Sequence, residues 1–229
     1  MIPLSVTMKR VSHPSRGISS TKKRQPAKLD KKKRGLIRII SGQWRGKRLP
    51  VLDAEGLRPT TDRNKETLFN WLMAYVDDAK CLDVFAGSGG LGLEALSRYA
   101  SRCDFIELDR QASEQLSKNL QTLNVNDSNV AKVHQGDALK VVKQLTGTQY
   151  DIVFIDPPFY QHLVAPVVSE IVNANLVCEG SMIYIEHETE LESLPLPSHW
   201  HVVKEKRTGS LVYMLVEVGE TSPPVLEYA

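Results

Sequence analysis

Two short stretches seventy residues apart hold the residues best suited to chemistry: Cys81 to Gly92, CLDVFAGSGGLG, and Asp151 to Phe159, DIVFIDPPF. In the second, the apolar run Ile152 to Ile155 delivers Asp156 to a turn built from Pro157 and Pro158, and the aromatic Phe159 follows. Two consecutive prolines remove two N–H donors and leave carbonyl oxygens as acceptors. This combination suits a planar substrate bearing an NH2 group. The Asp156 carboxylate takes one N–H, a proline carbonyl takes the other, and Phe159 stacks on the ring. Pinning both hydrogens draws the nitrogen lone pair out of conjugation and aims it at an electrophilic methyl group, so the rate gain comes from positioning and electrostatics. The bland alternative is a strand-ending turn with a core phenylalanine. It loses ground because the first stretch reads as a ligand cradle.

In that stretch an apolar run (Cys81, Leu82, Val84, Phe85) stops at Gly87, Ser88, Gly89 and Gly90, and helix-forming residues start at once. Glycine is required where a side chain would block positive φ angles or the close approach of a ligand to the backbone. Gly87, Gly89 and Gly92 satisfy G-x-G-x-x-G, and Glu107 stands twenty residues beyond Gly87, where an acid can bind ribose hydroxyls. NAD and S-adenosylmethionine both contain adenosine, so Glu107 does not separate them. Asp83 does: an acid inside the strand just before the glycines suits a cationic amino-acid moiety, met directly or through water, better than a pyrophosphate. Asp137 and Ala138 follow the third strand. The Asp137 carboxylate is placed either to accept from an adenine amino group or to cap the next helix, and both readings stand.

Elements that must position these groups follow from periodicity. Strands at Cys103 to Leu108, Val130 to Gln135, Asp151 to Asp156 and Ser181 to Glu186 alternate with helices at Gln111 to Leu123, Ala138 to Leu145 and Leu163 to Leu176, the last interrupted early by Pro166. Strands separated by helices run parallel through right-handed crossovers and bind ligands at their carboxyl ends. Trp200 to Arg207 and Leu211 to Val218 flank Thr208-Gly209-Ser210 with no helix between, so the sheet ends in an antiparallel hairpin. The expected fold is α/β and Rossmann-like: a mostly parallel sheet, a C-terminal antiparallel hairpin and a small N-terminal β-hairpin. Its expected divisions are a basic tail at 1–35, the hairpin extension at 36–58, the Rossmann-like domain at 59–220 and a C-terminal tail at 221–229.

The N-terminal hairpin is read from LIRIIS and KRLPVL on either side of Gly42 to Gly46. Its cations Arg38, Arg45, Lys47 and Arg48 accompany Trp44, a mix suited to RNA because guanidinium groups hold phosphate while an aromatic face stacks on a base; an ordinary solvated hairpin with a buried tryptophan is the alternative. Beyond it, Arg58-Pro59-Thr60 is extended, Thr61 or Asp62 caps a helix, and Leu68, Trp71, Leu72 and Tyr75 fall on one helical face.

Composition bounds the rest. The chain has 229 residues, enough for one core with a small appendage. Three widely spaced cysteines (Cys81, Cys103, Cys178) suggest neither a disulfide framework nor a zinc site. No signal peptide and no membrane span are visible, so a cytoplasmic protein without metal is expected. The net charge of +2 hides an asymmetry, because residues 1–35 hold eleven Lys/Arg against one acid. Lys22 to Arg34 has almost no apolar content, and Pro3, Pro14, Pro26 and Gly17 interrupt the segment, so the tail reads as disordered when free, either a solubilising leader or a phosphate-binding arm.

Taken together, LRPTTDR with ETLFNWL, CLDVFAGSGGLGLEALSRYA and DIVFIDPPF resemble the bacterial 16S ribosomal RNA guanine-N2 methyltransferases of the RsmD family, from about Ile37 to about Val218. The resemblance implies a class I S-adenosylmethionine-dependent methyltransferase acting, as a monomer, on the exocyclic amine of one guanine in 16S rRNA, within the 30S subunit or its assembly intermediate. By motif, Asp83, Phe85, Ala86, Gly87, Ser88, Gly89, Glu107, Leu108, Asp137 and Ala138 become cofactor contacts. Asp156, Pro157, Pro158 and Phe159 become the catalytic and base-stacking group. RNA contacts fall to Arg38, Trp44, Arg45, Lys47 and Arg48 and to Arg58, Thr60 and Arg63. The chain departs from the family pattern at Asn64-Lys65, where Val-Arg is usual, and at Gly90, where alanine is usual. Three rivals carry parts of the same pattern. A DNA adenine-N6 methyltransferase would need a target-reading domain for which there is little room. A protein-glutamine methyltransferase more naturally carries Asn-Pro-Pro-Tyr, and the third rival is a non-enzymatic RNA-binding module with a vestigial pocket.

Deleting residues 1–35 is expected to leave folding and cofactor affinity unchanged. Single-turnover methylation of 30S particles across a salt series should show a log–log salt slope shallower by about 0.7 to 0.9 for each phosphate that the tail no longer neutralises. Identical slopes for both proteins would make the tail a passive leader.

Overall fold

The computed structural model describes residues 34–52, 62–191 and 194–220. Residues 1–33 of the expected tail, Arg58, Thr60, Thr61 and residues 221–229 lie outside them, while Arg34 and Gly35, expected in the tail at 1–35, belong to the first strand. In chain order the described elements are β1 (Arg34–Arg38), β2 (Arg48–Leu52), α1 (Asp62–Trp71), β3 (Lys80–Asp83), α2 (Gly92–Ser97), β4 (Arg102–Glu107), α3 (Arg110–Thr122) and β5 (Ala131–Gln135). There follow α4 (Ala138–Val142), β6 (Ile152–Ile155), α5 (Val164–Asn173), β7 (Met182–Glu188), β8 (Trp200–Arg207) and β9 (Leu211–Val218).

Seven strands form one sheet in the order β5-β4-β3-β6-β7-β9-β8. The first five are parallel, and β9 and β8 pair antiparallel. From β3 the chain winds outward through β4 to β5, then returns to the other side of β3 with β6 and β7. Strand order therefore reverses at β3, and a crevice opens outside the carboxyl ends of β3 and β6. The central strands are buried on both sides, which explains the unbroken apolar run Ile152 to Ile155. One face carries Cys81, Phe105, Phe154, Tyr184 and Leu215 against α1, α2, α3 and the hairpin. The other carries Leu82, Val153, Ile155, Ile183 and Ile185 against Val141 and Val142 of α4 and Val167, Val168 and Ile171 of α5. Gly92 allows α2 to lie close on β4, since a Cβ there would come 2.3 Å from Phe105 and 2.6 Å from the Cys103 sulfur.

β1 and β2 form a separate antiparallel pair in the register Arg38 with Arg48 and Leu36 with Pro50. Its connection is anchored to α2 by a buried acid. Glu94, fully enclosed, accepts the Ile40 N–H at 2.8 Å and the Ser41 N–H at 3.0 Å, and the Arg98 guanidinium at 2.9 Å. Lys65 of α1 approaches the same carboxylate at 3.9 Å and donates to the Arg38 carbonyl at 2.6 Å. Burial pulls the Lys65 pKa down, against the opposing pull of Glu94. Thus the start of the hairpin connection, α1 and α2 meet on one carboxylate.

Two expectations are corrected. Tyr75 is exposed rather than on the buried face, because α1 ends at Trp71 and the chain tightens into a turn with the Tyr75 N–H on the Leu72 carbonyl. Phe69 is the fully buried aromatic, packed at 6.0 Å centroid distance against Phe154. Pro166 does not interrupt α5. It sits in the first turn, where its missing N–H would have had no partner within the helix. Asp62 is the first residue of α1, where its charge offsets the positive helix end. Cys81 and Cys103 are buried free thiols, and Cys178 is exposed.

Replacing Glu94 by alanine would strand two loop amides and the Lys65 ammonium. A loss of about 3 to 5 kcal/mol is expected, read by chemical denaturation of the variant beside the wild type.

Candidate active site

A cavity of about 1280 Å³ opens at the carboxyl edge of the sheet. Its lining includes Asp83, Phe85, Ala86, Gly87, Ser88, Glu107, Leu108, Asp137, Ala138 and the run Asp156 to Phe159, brought together from several strand ends and loops. Gly89 lies under this surface with φ near 82°, and its missing Cβ would meet a Leu116 methyl at 2.4 Å. Gly87 also takes a left-handed φ of 52°.

Glu107 closes the glycine loop. One carboxylate oxygen accepts the Gly87 N–H and the other the Asp109 N–H, both at 2.7 Å. Burial pushes the Glu107 pKa up and these two hydrogen bonds pull against it. In a dinucleotide enzyme the loop amides face a pyrophosphate; here a carboxylate already occupies the Gly87 amide, which makes the loop hostile to a second anion. Asp83 is buried, and its Oδ2 accepts the Gly92 N–H at 3.0 Å. Burial raises its pKa to about 7, with the Gly92 hydrogen bond opposing and the Asp156 and Glu107 charges adding to the rise. Asp137 lines the cavity and also caps α4, its carboxylate accepting the Lys140 N–H at 3.1 Å.

Phe159 is half-buried against the hairpin-side core, edge-on to Tyr160 at 6.5 Å. The turn after it is held in an uncommon backbone conformation, with Tyr160 at φ 60° and His162 at φ 53°. The Tyr160 N–H donates to the Glu188 carboxylate. Of the RNA-contact candidates, Arg38, Arg45, Lys47, Arg48 and Arg63 are exposed, while Trp44 is half-buried against the core and its backbone N–H donates to Ser97 Oγ at 3.1 Å. Arg38 lies 4.0 Å from Asp62. The hairpin borders the cavity through Ile37, and α1 through Asn64 and Lys65.

Sequence reasoning assigned no role to Glu186, Tyr213 and Asn64, which also line the cavity. Asn64 donates to the Tyr213 hydroxyl at 2.7 Å, and Tyr184 donates to Glu186 at 3.1 Å. Glu186 carried one usable signal, an acid at the end of the strand expected at Ser181 to Glu186, although β7 runs on to Glu188. Asn64 and Tyr213 lie 149 residues apart and carried none. Among the described residues no group of three or more His, Cys, Asp or Glu is placed to hold a metal, and no helix is long and apolar enough to cross a membrane.

A glycine loop after the first strand of a reversing parallel sheet, an acid ending the second, and a terminal antiparallel hairpin define the Rossmann-like fold of class I methyltransferases. Comparison with solved structures agrees: yhhF of Escherichia coli matches with a TM-score of 0.74 at 44% identity, covering 81% of this chain and 99% of that one. HI0767 of Haemophilus influenzae matches with a TM-score of 0.70 at 44% identity, covering 81% and 100%. The chain belongs to the RsmD family of methyltransferases, the family described as Conserved hypothetical protein 95, whose model matches residues 37–217. Among curated relatives, Ribosomal RNA small subunit methyltransferase D of Escherichia coli K12 is 48% identical over 183 residues, 80% of this chain and 90% of that protein. Its Haemophilus influenzae counterpart is 45% identical over 184 residues, 80% and 95%. The protein is a methyltransferase.

Because the folded-state pKa of Asp83 is raised from 3.8 to about 7, its contribution to stability is complete below pH 4 and disappears as pH rises through 7. Asp83→Asn should remove this dependence. Between pH 4 and 7 the variant should gain on the ligand-free wild type by up to about 1.4 kcal/mol per pH unit, measured by denaturant unfolding across a pH series.

Proposed function

We propose that the protein transfers a methyl group from S-adenosylmethionine to the exocyclic N2 amine of a guanine in 16S rRNA, within the small subunit or its assembly intermediate. The observation that carries this reading is the run Asp156-Pro157-Pro158-Phe159 at the strand-order reversal, beside a glycine loop whose Gly87 amide is occupied by the Glu107 carboxylate. The named activity of the small-subunit relatives supports the RNA substrate.

The residues present fit S-adenosylmethionine. Three carboxylates, Asp83, Glu107 and Asp137, line the cofactor half of the cavity, and the stretch from Asp83 to Leu91 contains no cation. That donor set favours a positively charged ligand with hydroxyls and an amino group over a phosphate. Asp83 serves the amino-acid end, Glu107 the ribose hydroxyls and Asp137 the adenine amine. Phe85, Ala86, Ser88, Leu108 and Ala138 supply the walls. When bound, S-adenosylmethionine supplies an electrophilic methyl group on a cationic sulfur. Asp156 accepts one hydrogen of the substrate amine and a proline carbonyl the other, Phe159 stacks on the base, and the proton released on alkylation passes to the Asp156 carboxylate.

A cavity of this size exceeds the roughly 300 to 1,000 Å³ typical of a single small ligand, which accommodates a cofactor and a splayed-out base together. The exposed cations of the hairpin, with Arg58, Thr60 and Arg63, hold the RNA backbone, and the cations of residues 1–35 add phosphate contacts. The enzyme works as a monomer in the cytoplasm.

Tritium transfer from labelled S-adenosylmethionine to naked rRNA, 30S particles, DNA and protein tests the reading, with nucleoside mass spectrometry of the product. Label in N2-methylguanosine of 16S rRNA is expected, and label confined to DNA, to protein or to adenine would overturn it. Asp156→Ala should lower turnover about 100-fold or more with cofactor affinity nearly unchanged by calorimetry. A parallel loss of cofactor affinity would assign Asp156 to the cofactor or the fold instead.

A further inference from the structure

The β6–β7 register sets a second carboxylate beside Asp156. Ile155 pairs with Ile185 across these parallel strands, and β7 runs on to Glu188 where β6 stops, so Asp156, the first residue past β6, comes out beside Glu186 of β7. Both line the cavity. On its other side Glu186 stands directly opposite Tyr213 of β9. The result is a row across three strands: Asp156, Glu186, Tyr213.

Glu186 is only 5% exposed, and its position is tightly held. The Tyr184 hydroxyl, two residues earlier on the same strand face, donates to Oε2 at 3.1 Å, and Asn64 fixes the neighbouring Tyr213 hydroxyl at 2.7 Å. Burial, then the Glu186 and Asp156 charges, push the Tyr184 hydroxyl pKa well up, which marks both carboxylates as its neighbours. A carboxylate offers about four acceptor sites, so a glutamate can accept from more than one donor at a time. The Watson–Crick edges of the bases differ at this point. Guanine presents two adjacent donors, the 2-amino group and N1–H, whereas the exocyclic amines of adenine and cytosine adjoin a ring nitrogen that is an acceptor. An acid next to Asp156 rewards the first arrangement and repels the second.

We propose that Glu186 selects guanine by accepting the N1–H of the base whose 2-amino group is held at Asp156. The inference rests on the reading of the substrate as a guanine amine and assigns its recognition. Glu186 sets specificity, while Asp156 acts at the reacting nitrogen.

The test uses the full-length enzyme and small-subunit particles reconstituted with rRNA carrying either guanine or 2-aminopurine at the methylated position. 2-Aminopurine keeps the reactive 2-amino group but presents an acceptor at N1. Wild-type enzyme should favour guanine in kcat/KM by at least about a hundredfold, the scale of rejection when a buried polar group loses its partner. Glu186→Gln places an amide that can donate to the 2-aminopurine N1, and should shrink the preference by roughly tenfold or more, with S-adenosylmethionine affinity by calorimetry unchanged. Equal use of both bases by the wild type would overturn the proposal, even if the variant fails to fold. So would a variant that slows both bases by the same factor, or one that loses cofactor affinity. No transfer to guanine by the wild type would overturn the guanine-amine reading itself, and this assignment with it.

Discussion

Right-handed helical crossovers oblige β3, β4, β6 and β7 to end at one edge, and that constraint concentrates negative charge. Asp83, Glu107, Asp156 and Glu186 all stand at or near those ends and line one cavity. In water such acids would repel weakly. Enclosed, they raise one another's cost of ionisation, and the burial of Asp83 moves its pKa to about 7. The Gly87, Asp109 and Gly92 amides offset part of this cost by donating to Glu107 and Asp83. What remains is a site whose charge is best balanced by a cation, the chemical character of a sulfonium ligand with an α-amino group.

A second buried acid organises the hairpin side of the structure. Glu94 takes backbone donors from the hairpin connection, a guanidinium from its own helix and the approach of a buried lysine. Removing one partner of such a cluster costs more than the cluster contributes, because the remaining charges stay buried. The hairpin is consequently fixed to α2, the helix that begins at the glycine loop. Its exposed cations are held in a set relation to the cavity rather than carried on a loose arm, and the tail, if it binds RNA, adds to a surface already in place.

The Asp-Pro-Pro-Phe turn completes the cavity wall. Its prolines restrict φ, the left-handed Tyr160 and His162 follow, and the Tyr160 amide is tied to Glu188 on β7. Residues held in sparsely populated conformations persist only where their surroundings over-determine them. Here the surroundings are the half-buried Phe159 ring and the adjoining strand end, so the turn keeps its shape along the cavity.

Much of this was legible in the chain. The alternation of strands and helices, the C-terminal hairpin from Trp200 to Val218, the glycine loop and the arrival of Asp156 at a sheet edge follow from local periodicity, from glycine and proline stereochemistry and from the parallel-crossover rule. Those signals operate over a few residues, so a single sequence displays them. Other features depend on residues distant in sequence and required the tertiary structure. Glu186 became a neighbour of Asp156 only through strand register, Tyr213 was fixed by Asn64 of a helix on another part of the chain, and Glu94 found its partners in a loop more than fifty residues away. Tyr75 stayed out of the core because the helix ended before it, and Asp137 proved to cap its helix while also lining the cavity. Periodicity states which face of an element is buried but not what it is buried against. The pairing of faces is decided when all the layers pack at once, and the recognition side of this site is made of such pairings.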